Sequence, residues 1–228
     1  MRQIVLDTET TGLSHAAGHR LIEIGCFELQ DRQLTGNSYH TYLNPERSVD
    51  DGAFKIHGIS NDFLNDQPFF RDVAHEFLQF IANAELIIHN APFDLGFLDA
   101  ELKLANISLL LSELCIVCDT LVLAKSKHPG QRNSLDALCK RYEIDNSNRT
   151  LHGALLDAKI LAHVYLAMTG GQALLFADDL ELPELTNFKA DVFSSVNTDD
   201  NSVVILADGE ELERHQQFMK FMSNYKTE

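Results

Sequence analysis

The sequence predicts an α/β fold in which helices flank a mixed β-sheet. First, the apolar run Arg2–Leu6 predicts a buried strand, and two further strand patterns follow it directly, which favours an antiparallel meander. Second, helical and strand patterns alternate after residue 72, which is typical of strands added through crossover helices. Third, 45% of the 228 residues are apolar, enough to build a core.

The two later strands of the meander follow loops rich in turn residues. Arg20–Leu29 alternates partly between apolar and polar residues, and Ser38–Leu43 ends at Asn44 and Pro45. The helical half is predicted from apolar residues at helical spacing and from capping residues. Its elements are a helix over Asp72–Ala82, a strand over Glu85–His89, a helix from Asn90, its cap, to Leu104, and helices over Ser134–Tyr142 and Gly153–Met168. Val117–Ala124 fits a strand or a helix equally well.

The composition changes after Gly171. Residues 171–228 contain 12 acids and four bases, and Asp178–Asn201 is rich in Asp, Glu, Asn and Ser. We therefore expect a domain over residues 1–171, a flexible acidic linker over 172–201 and a docking segment over 202–228. In the last segment, Ser202–Ala207 resembles a strand and Glu210–Tyr225 an amphipathic helix.

The charge balance limits the classes of partner. The chain carries 34 acids against 18 Lys and Arg, a net charge of −16. A protein that grips a long duplex needs many cationic phosphate contacts, so we expect an enzyme that holds a few nucleotides through metal ions or relies on a partner. No apolar run approaches the ~18 residues of a membrane span, and no secretory signal is evident, so a cytoplasmic location is expected.

Four acidic side chains stand at ends of predicted strands and helices. Asp7 and Glu9 lie two apart at a strand end and share a face, while Asp94 and Asp157 lie in first helical turns. Converging carboxylates repel each other unless cations bind them, and hard oxygen ligands select Mg²⁺ or Mn²⁺. Two such ions serve in-line displacement at phosphorus, with His152 placed to act as general base. The same acids are also common as helix caps, and His152 as a loop residue, so both interpretations stand.

Three segments resemble the motifs of DEDDh exonucleases. They are Asp7–Gly12 (DTETTG), His89–Asp94 (HNAPFD) and His152–Asp157 (HGALLD), with a histidine five residues before the last aspartate. Residues 2–171, including Gly130–Cys139 (GQRNSLDALC) and Arg141–Asp145 (RYEID), are similar to the epsilon-subunit family of bacterial DNA polymerase III. The resemblance implies a ribonuclease-H-like fold and a proofreading 3′→5′ exonuclease.

The resemblance also implies roles for individual residues. Asp7, Glu9, Asp94 and Asp157 would hold two Mg²⁺ or Mn²⁺ ions, and His152 would be the general base. Glu9 and Asp157 would in addition lie close to the terminal nucleotide of the DNA. The other implied substrate-binding residues are Leu13, which would wedge between bases, and His57 and Asn90, which would line the nucleotide site. A cap, turn or core role is the alternative for each of these three.

Two segments beyond the catalytic region imply protein partners. Gln172, Leu174, Leu175 and Phe176 resemble the peptide with which bacterial replication proteins bind the sliding clamp; a frayed helix end is the alternative. Val203–Tyr225 corresponds to the segment with which epsilon subunits bind the alpha (polymerase) subunit of DNA polymerase III. The expected setting is thus the bacterial nucleoid and replisome. The alternative functions are an RNA-trimming exonuclease of the same branch and a scaffold that bridges clamp and polymerase with little catalysis.

Overall fold

The computed structural model describes residues 1–147 and 151–170, which build a five-stranded mixed sheet flanked by helices. The strands are β1 (Arg2–Thr10), β2 (Leu21–Gln30), β3 (Gln33–Tyr42), β4 (Glu85–Ile88) and β5 (Ile116–Asp119). Their order is β3-β2-β1-β4-β5, with β1 to β3 antiparallel and β4 and β5 parallel to β1. The predicted fold class is thereby confirmed, while the predicted tail lies outside the described residues.

The helices are α1 (Asp51–His57), α2 (Asn61–Asn65), α3 (Phe70–Ile81), α4 (Ala91–Leu104), α5 (Leu111–Leu114), α6 (Thr120–Lys127), α7 (Leu135–Arg141) and α8 (Ala154–Thr169). They include the predicted ones and three short ones, α1, α2 and α5, that the sequence patterns did not predict. None of the helices in the described residues has the length and apolar character that crossing a membrane requires.

Strand β1 is buried on both faces of the sheet. Its side chains alternate, so Ile4 and Leu6 join one core with Phe77 of α3 and Phe97 of α4. Val5 points the other way, into a second core that includes Leu161 of α8. Burying each such side chain contributes about 1.5–3 kcal/mol. This packing fixes the end of β1 between the first turns of α4 and α8.

The undecided segment Val117–Ala124 contains both kinds of structure. Strand β5 ends at Asp119, and α6 begins at Thr120. The Asp119 carboxylate accepts hydrogen bonds from the backbone N–H groups of Leu121, at 2.8 Å, and Val122. This cap switches the chain from strand to helix. Strand β3 also begins earlier than predicted, at Gln33.

Candidate active site

An acidic cleft lies where β1 ends beside the first turns of α4 and α8. The cleft has a volume of about 530 Å³, and all five predicted catalytic and metal-binding residues line it: Asp7, Glu9, Asp94, His152 and Asp157. Asp7 and Glu9 share a face of β1 because side chains alternate along a strand. The fold therefore brings together residues that are up to 150 positions apart in the sequence.

Three of these side chains approach one another closely. Glu9, His152 and Asp157 each offer a ligand atom, and these atoms lie within 4.8 Å of one another. His152 Nδ1 lies 3.2 Å from Asp157 Oδ2. Asp157 is 3% exposed and belongs to the first turn of α8, where the helix dipole favours a negative charge. Carboxylate oxygens with an imidazole nitrogen form a donor set that divalent cations accept.

Asp94 is a strongly perturbed acid of the cleft. It lies in the first turn of α4, is 3% exposed and accepts a 2.6 Å hydrogen bond from Thr8 Oγ1. Burial raises the pKa of Asp94 to about 7, because desolvation penalises its charged form. A buried carboxylate beside other acids gains a compensating charge when a divalent cation binds, so the residues present fit a metal centre. No role for Thr8 was predicted from the sequence.

Two residues of β2 hold the start of α8 against the sheet. Glu23 is 2% exposed, accepts a 3.1 Å hydrogen bond from the N–H of Ala154, and lies 2.8 Å from His40 Nε2. A Cβ atom on Gly25 would lie only 2.3 Å from the backbone nitrogen of Leu155. Neither residue was predicted from the sequence. A charged residue inside the apolar run of β2 was the available signal.

A second cleft adjoins the first at Thr8, Glu9 and Phe93. It has a volume of about 370 Å³, and Leu13 and His57 line it. The Leu13 side chain is 84% exposed at its edge, although exposure of a large apolar side chain is unfavourable. An apolar compartment therefore opens directly from the acidic one.

His57 presents a buried donor in this second cleft. The residue is 5% exposed, and its Nδ1 accepts a 3.0 Å hydrogen bond from the N–H of Ile59. The proton of the neutral ring is therefore on Nε2, which has no hydrogen-bond partner among the described residues. Burial, and next the charge of His152, lower the pKa of His57. An unsatisfied buried donor is costly and suits a ligand oxygen.

Asn90 lines the acidic cleft but does not cap α4 with its side chain. Its φ angle is +67°, and its side chain makes no capping hydrogen bond, so the predicted cap is wrong in that respect. Instead, the backbone N–H of Asn90 donates to Asp119 Oδ1 at 3.2 Å. The neighbouring His89 also lines the cleft, and its Nδ1 lies 2.9 Å from Thr120 Oγ1. The proposed clamp-binding residues Gln172, Leu174, Leu175 and Phe176 lie outside the described residues.

Comparisons with known proteins agree with this geometry. A family profile described as "Exonuclease" matches residues 4–165. DNA polymerase III subunit epsilon of Pasteurella multocida is 48% identical over 97% of this chain and 89% of its own length. The subunit of the same name from Escherichia coli is 52% identical, over 94% of this chain and 90% of its own.

Two solved structures have a fold similar to that of this chain. Exonuclease X in complex with 5′ overhanging duplex DNA has a TM-score of 0.58 and 24% identity, covering 75% of this chain and 92% of that one. An E. coli ExoI–ssDNA complex in its zinc-bound form has a TM-score of 0.63 and 18% identity, covering 77% of this chain and 42% of that one.

Proposed function

Because the chain belongs to the exonuclease family and, within it, to the epsilon subunits of DNA polymerase III, we propose that its two clefts together bind and hydrolyse the mispaired 3′ end of a DNA strand. Membership identifies the chain as a 3′→5′ exonuclease with the proofreading function of that subunit. The acidic cleft would take the scissile phosphodiester, and the adjoining apolar cleft the terminal nucleoside. The observation that carries this assignment is the convergence of Glu9, His152 and Asp157 within 4.8 Å.

The metal centre is assigned to four acids. The proposed ligands are Asp7, Glu9, Asp94 and Asp157, because all four line one cleft and two of them are almost fully buried. The family uses divalent metal ions. We assign two ions, Mg²⁺ or Mn²⁺, since the donor set is dominated by hard carboxylate oxygens. When bound, such ions acidify water and stabilise the negative charge of a phosphoryl transition state.

His152 is the proposed general base. Its ring lies at the mouth of the cleft, held by the contact between Nδ1 and Asp157. In its neutral form, the imidazole takes a proton from the attacking water through an unprotonated ring nitrogen. The contact with Asp157 restricts the ring orientation. We therefore expect substitution of His152 to lower turnover more than metal affinity.

The apolar cleft supplies the proposed substrate contacts. Leu13 would pack against the terminal bases, which covers its exposed surface when DNA binds. The Nε2–H of His57 would donate to an oxygen of the terminal nucleotide, because this buried donor lacks a partner among the described residues. Asn90 would contact the same nucleotide from the acidic side, together with Glu9 and Asp157.

The proposed partners follow from the relatives and from the C-terminal sequence. The relatives are named as subunits of DNA polymerase III, which supports a partnership with that polymerase. We assign binding of the alpha subunit to Val203–Tyr225 and binding of the sliding clamp to Gln172–Phe176. Replacing Gln172, Leu175 and Phe176 by Ala should weaken clamp binding in a pull-down, while cleavage of free oligonucleotides persists. Unchanged clamp binding would contradict this assignment.

The catalytic assignment is tested with the purified full chain, Mg²⁺ and a 5′-labelled DNA primer with a mismatched 3′ end. Products should shorten stepwise from the 3′ end, and Asp7→Asn or Glu9→Gln should abolish shortening without unfolding the protein. Asp62→Asn is the matched control, because this exposed carboxylate of α2 does not line the cleft. Persistent cleavage by Asp7→Asn would contradict the metal assignment.

The same experiment separates the alternatives. An RNA oligomer of the same sequence is incubated in parallel with the DNA. Faster shortening of the RNA would assign the protein to RNA trimming. No cleavage of either strand, with clamp and polymerase binding intact, would assign it to a bridging role.

A further inference from the structure

The carboxylates of the acidic cleft repel the phosphates of the proposed DNA substrate. Five carboxylates line this cleft: Asp7, Glu9, Asp94, Asp136 and Asp157. The whole chain carries a net charge of −16. Metal ions compensate charge only at the scissile phosphate, whereas each further phosphate of the strand meets a repulsive field. A cationic contact beside the cleft would offset this repulsion.

One arginine of the described residues stands apart from the others. The guanidinium groups of the remaining six bond to protein atoms: Arg2, Arg20, Arg32, Arg47, Arg71 and Arg141. Arg132 is exposed, and its side chain makes no hydrogen bond or ion pair within residues 1–147 and 151–170. It lies two positions before Ser134, which lines the acidic cleft. An arginine fork without a protein partner is well suited to phosphate oxygens.

Hydrogen bonds from neighbouring side chains fix the conformation of the loop that carries Arg132. The side chain of Asn133 is buried and donates to the carbonyl oxygens of His128 and Gln131. Arg141 donates to Asn133 Oδ1 at 3.0 Å and to the carbonyl oxygen of Arg132 at 2.8 Å. The backbone at Arg132 is thus held in place, so binding a phosphate there orders little more than the side chain itself.

Lys125 is the second cation at this edge. It is exposed on α6, four residues after Leu121, which lines the acidic cleft. Residues four apart share a helix face. Its charge acts on His89, whose ring lines the cleft and also bonds to the backbone of Asn133. Lys125 and the Arg132 loop therefore flank the same histidine at the rim of the cleft.

We propose that Lys125 and Arg132 form a phosphate-binding rim, which holds the backbone of the DNA strand upstream of the scissile bond. This inference rests on the proposed function, since it names how the same site holds its substrate. The rim provides two charges that have no partner among residues 1–147 and 151–170, next to a cleft lined by five carboxylates. It predicts that DNA beyond the terminal nucleotides contributes salt-dependent binding energy.

The test measures cleavage by the full chain of 5′-labelled single-stranded DNA of two, four, eight and twelve nucleotides at fixed Mg²⁺. Each phosphate contact to single-stranded DNA contributes ~0.7 to the slope of log affinity against log salt. Between ~50 and ~200 mM salt, the rise in KM for the twelve-mer should be about 2.6-fold smaller for Lys125→Ala or Arg132→Ala and about sevenfold smaller for the double variant. The KM advantage of long over short substrates should shrink in parallel.

Lys103→Ala is the matched control. Lys103 is exposed on α4 but lines a different groove, with Asp99 and Glu113. This variant should keep the wild-type salt dependence and length dependence. Compared with Arg132→Ala, Arg132→Lys should restore the salt slope, because it keeps the charge, but only part of the affinity, because it loses the fork.

Three results would overturn the proposal. Wild-type salt dependence in the double variant would show that the rim does not bind DNA. The same result with weaker binding to the purified polymerase subunit would assign the two cations to a protein interface instead. Absence of 3′→5′ cleavage by the wild-type chain would remove the proposed function and this inference together, whereas the first two results would leave the proposed function intact.

Discussion

Replacing Gly25 by alanine should slow catalysis at temperatures at which the protein remains folded. The added Cβ would lie 2.3 Å from the Leu155 nitrogen and 2.4 Å from the carbonyl carbon of Ala154. Ordinary contacts begin at 3.4 Å, so the start of α8 must retreat from β2 by about 1 Å. That movement also lengthens the 3.1 Å hydrogen bond between Glu23 and Ala154 and displaces Asp157.

The two effects are similar in free energy, and an assay run well below the melting temperature separates them. A misplacement of about 1 Å at a reacting centre costs roughly 100-fold in rate. Overpacking of this kind costs about 1–3 kcal/mol of unfolding free energy. Since Glu9, His152 and Asp157 lie within 4.8 Å of one another, even a small displacement of α8 changes the geometry of the whole set.

The assay is single-turnover cleavage of a DNA oligonucleotide by a saturating excess of the protein, at saturating Mg²⁺ and well below the melting temperature. Ile81→Val is the matched control, because it weakens the core on α3 by about 0.5–1.5 kcal/mol without touching α8. This control should keep the wild-type rate. A wild-type rate for Gly25→Ala, or an equal loss for Ile81→Val, would refute the reasoning.

Three further predictions concern stability. Removal of divalent ions by EDTA should lower the melting temperature, because ions bound only by the folded state stabilise it by about 2.7 kcal/mol at a concentration of 100 times Kd. Asp94→Asn should reduce this change in melting temperature. An unchanged effect of EDTA on this variant would contradict the assignment of Asp94 as a metal ligand. Hydrogen bonds to its carboxylate, the strongest from Asn37 and the next strongest from Arg2, hold the pKa of Glu28 below its usual range. The ionised Glu28 carboxylate therefore stabilises the fold at pH values above its unfolded-state pKa, and this stabilisation is lost as the pH falls through its folded-state pKa. The loss of unfolding free energy caused by Glu28→Gln, measured by urea unfolding, should therefore shrink below about pH 4. Glu101→Gln should lower the unfolding free energy by about 2–3 kcal/mol in the same assay, because it breaks the ion pair between Arg20 and a carboxylate that is only 3% exposed. A decrease of less than about 0.5 kcal/mol would show that water replaces the ion pair.

Much of the fold and the identity of the cleft acids follow from local patterns. The two-residue period of β1 places Asp7 and Glu9 on one face, and helical periodicity together with a first-turn position places Asp157 at the start of α8. Each of these patterns can be recognised within a few consecutive residues of the sequence. The sequence motifs then identify the family, which the comparisons confirm.

Contacts between distant segments were decided by tertiary structure alone. Thr8 binds Asp94 across 86 positions, and Glu23 holds the start of α8 across 131. The exposed guanidinium of Arg132 also becomes distinctive only once the partners of the other arginines are known. Local periodicity states which face of an element is apolar, but not which backbone atoms another element will bring within 3 Å. The sequence by itself determined which groups could perform the chemistry, whereas packing between elements decided how those groups are held, because their positions depend on side chains that are remote along the chain.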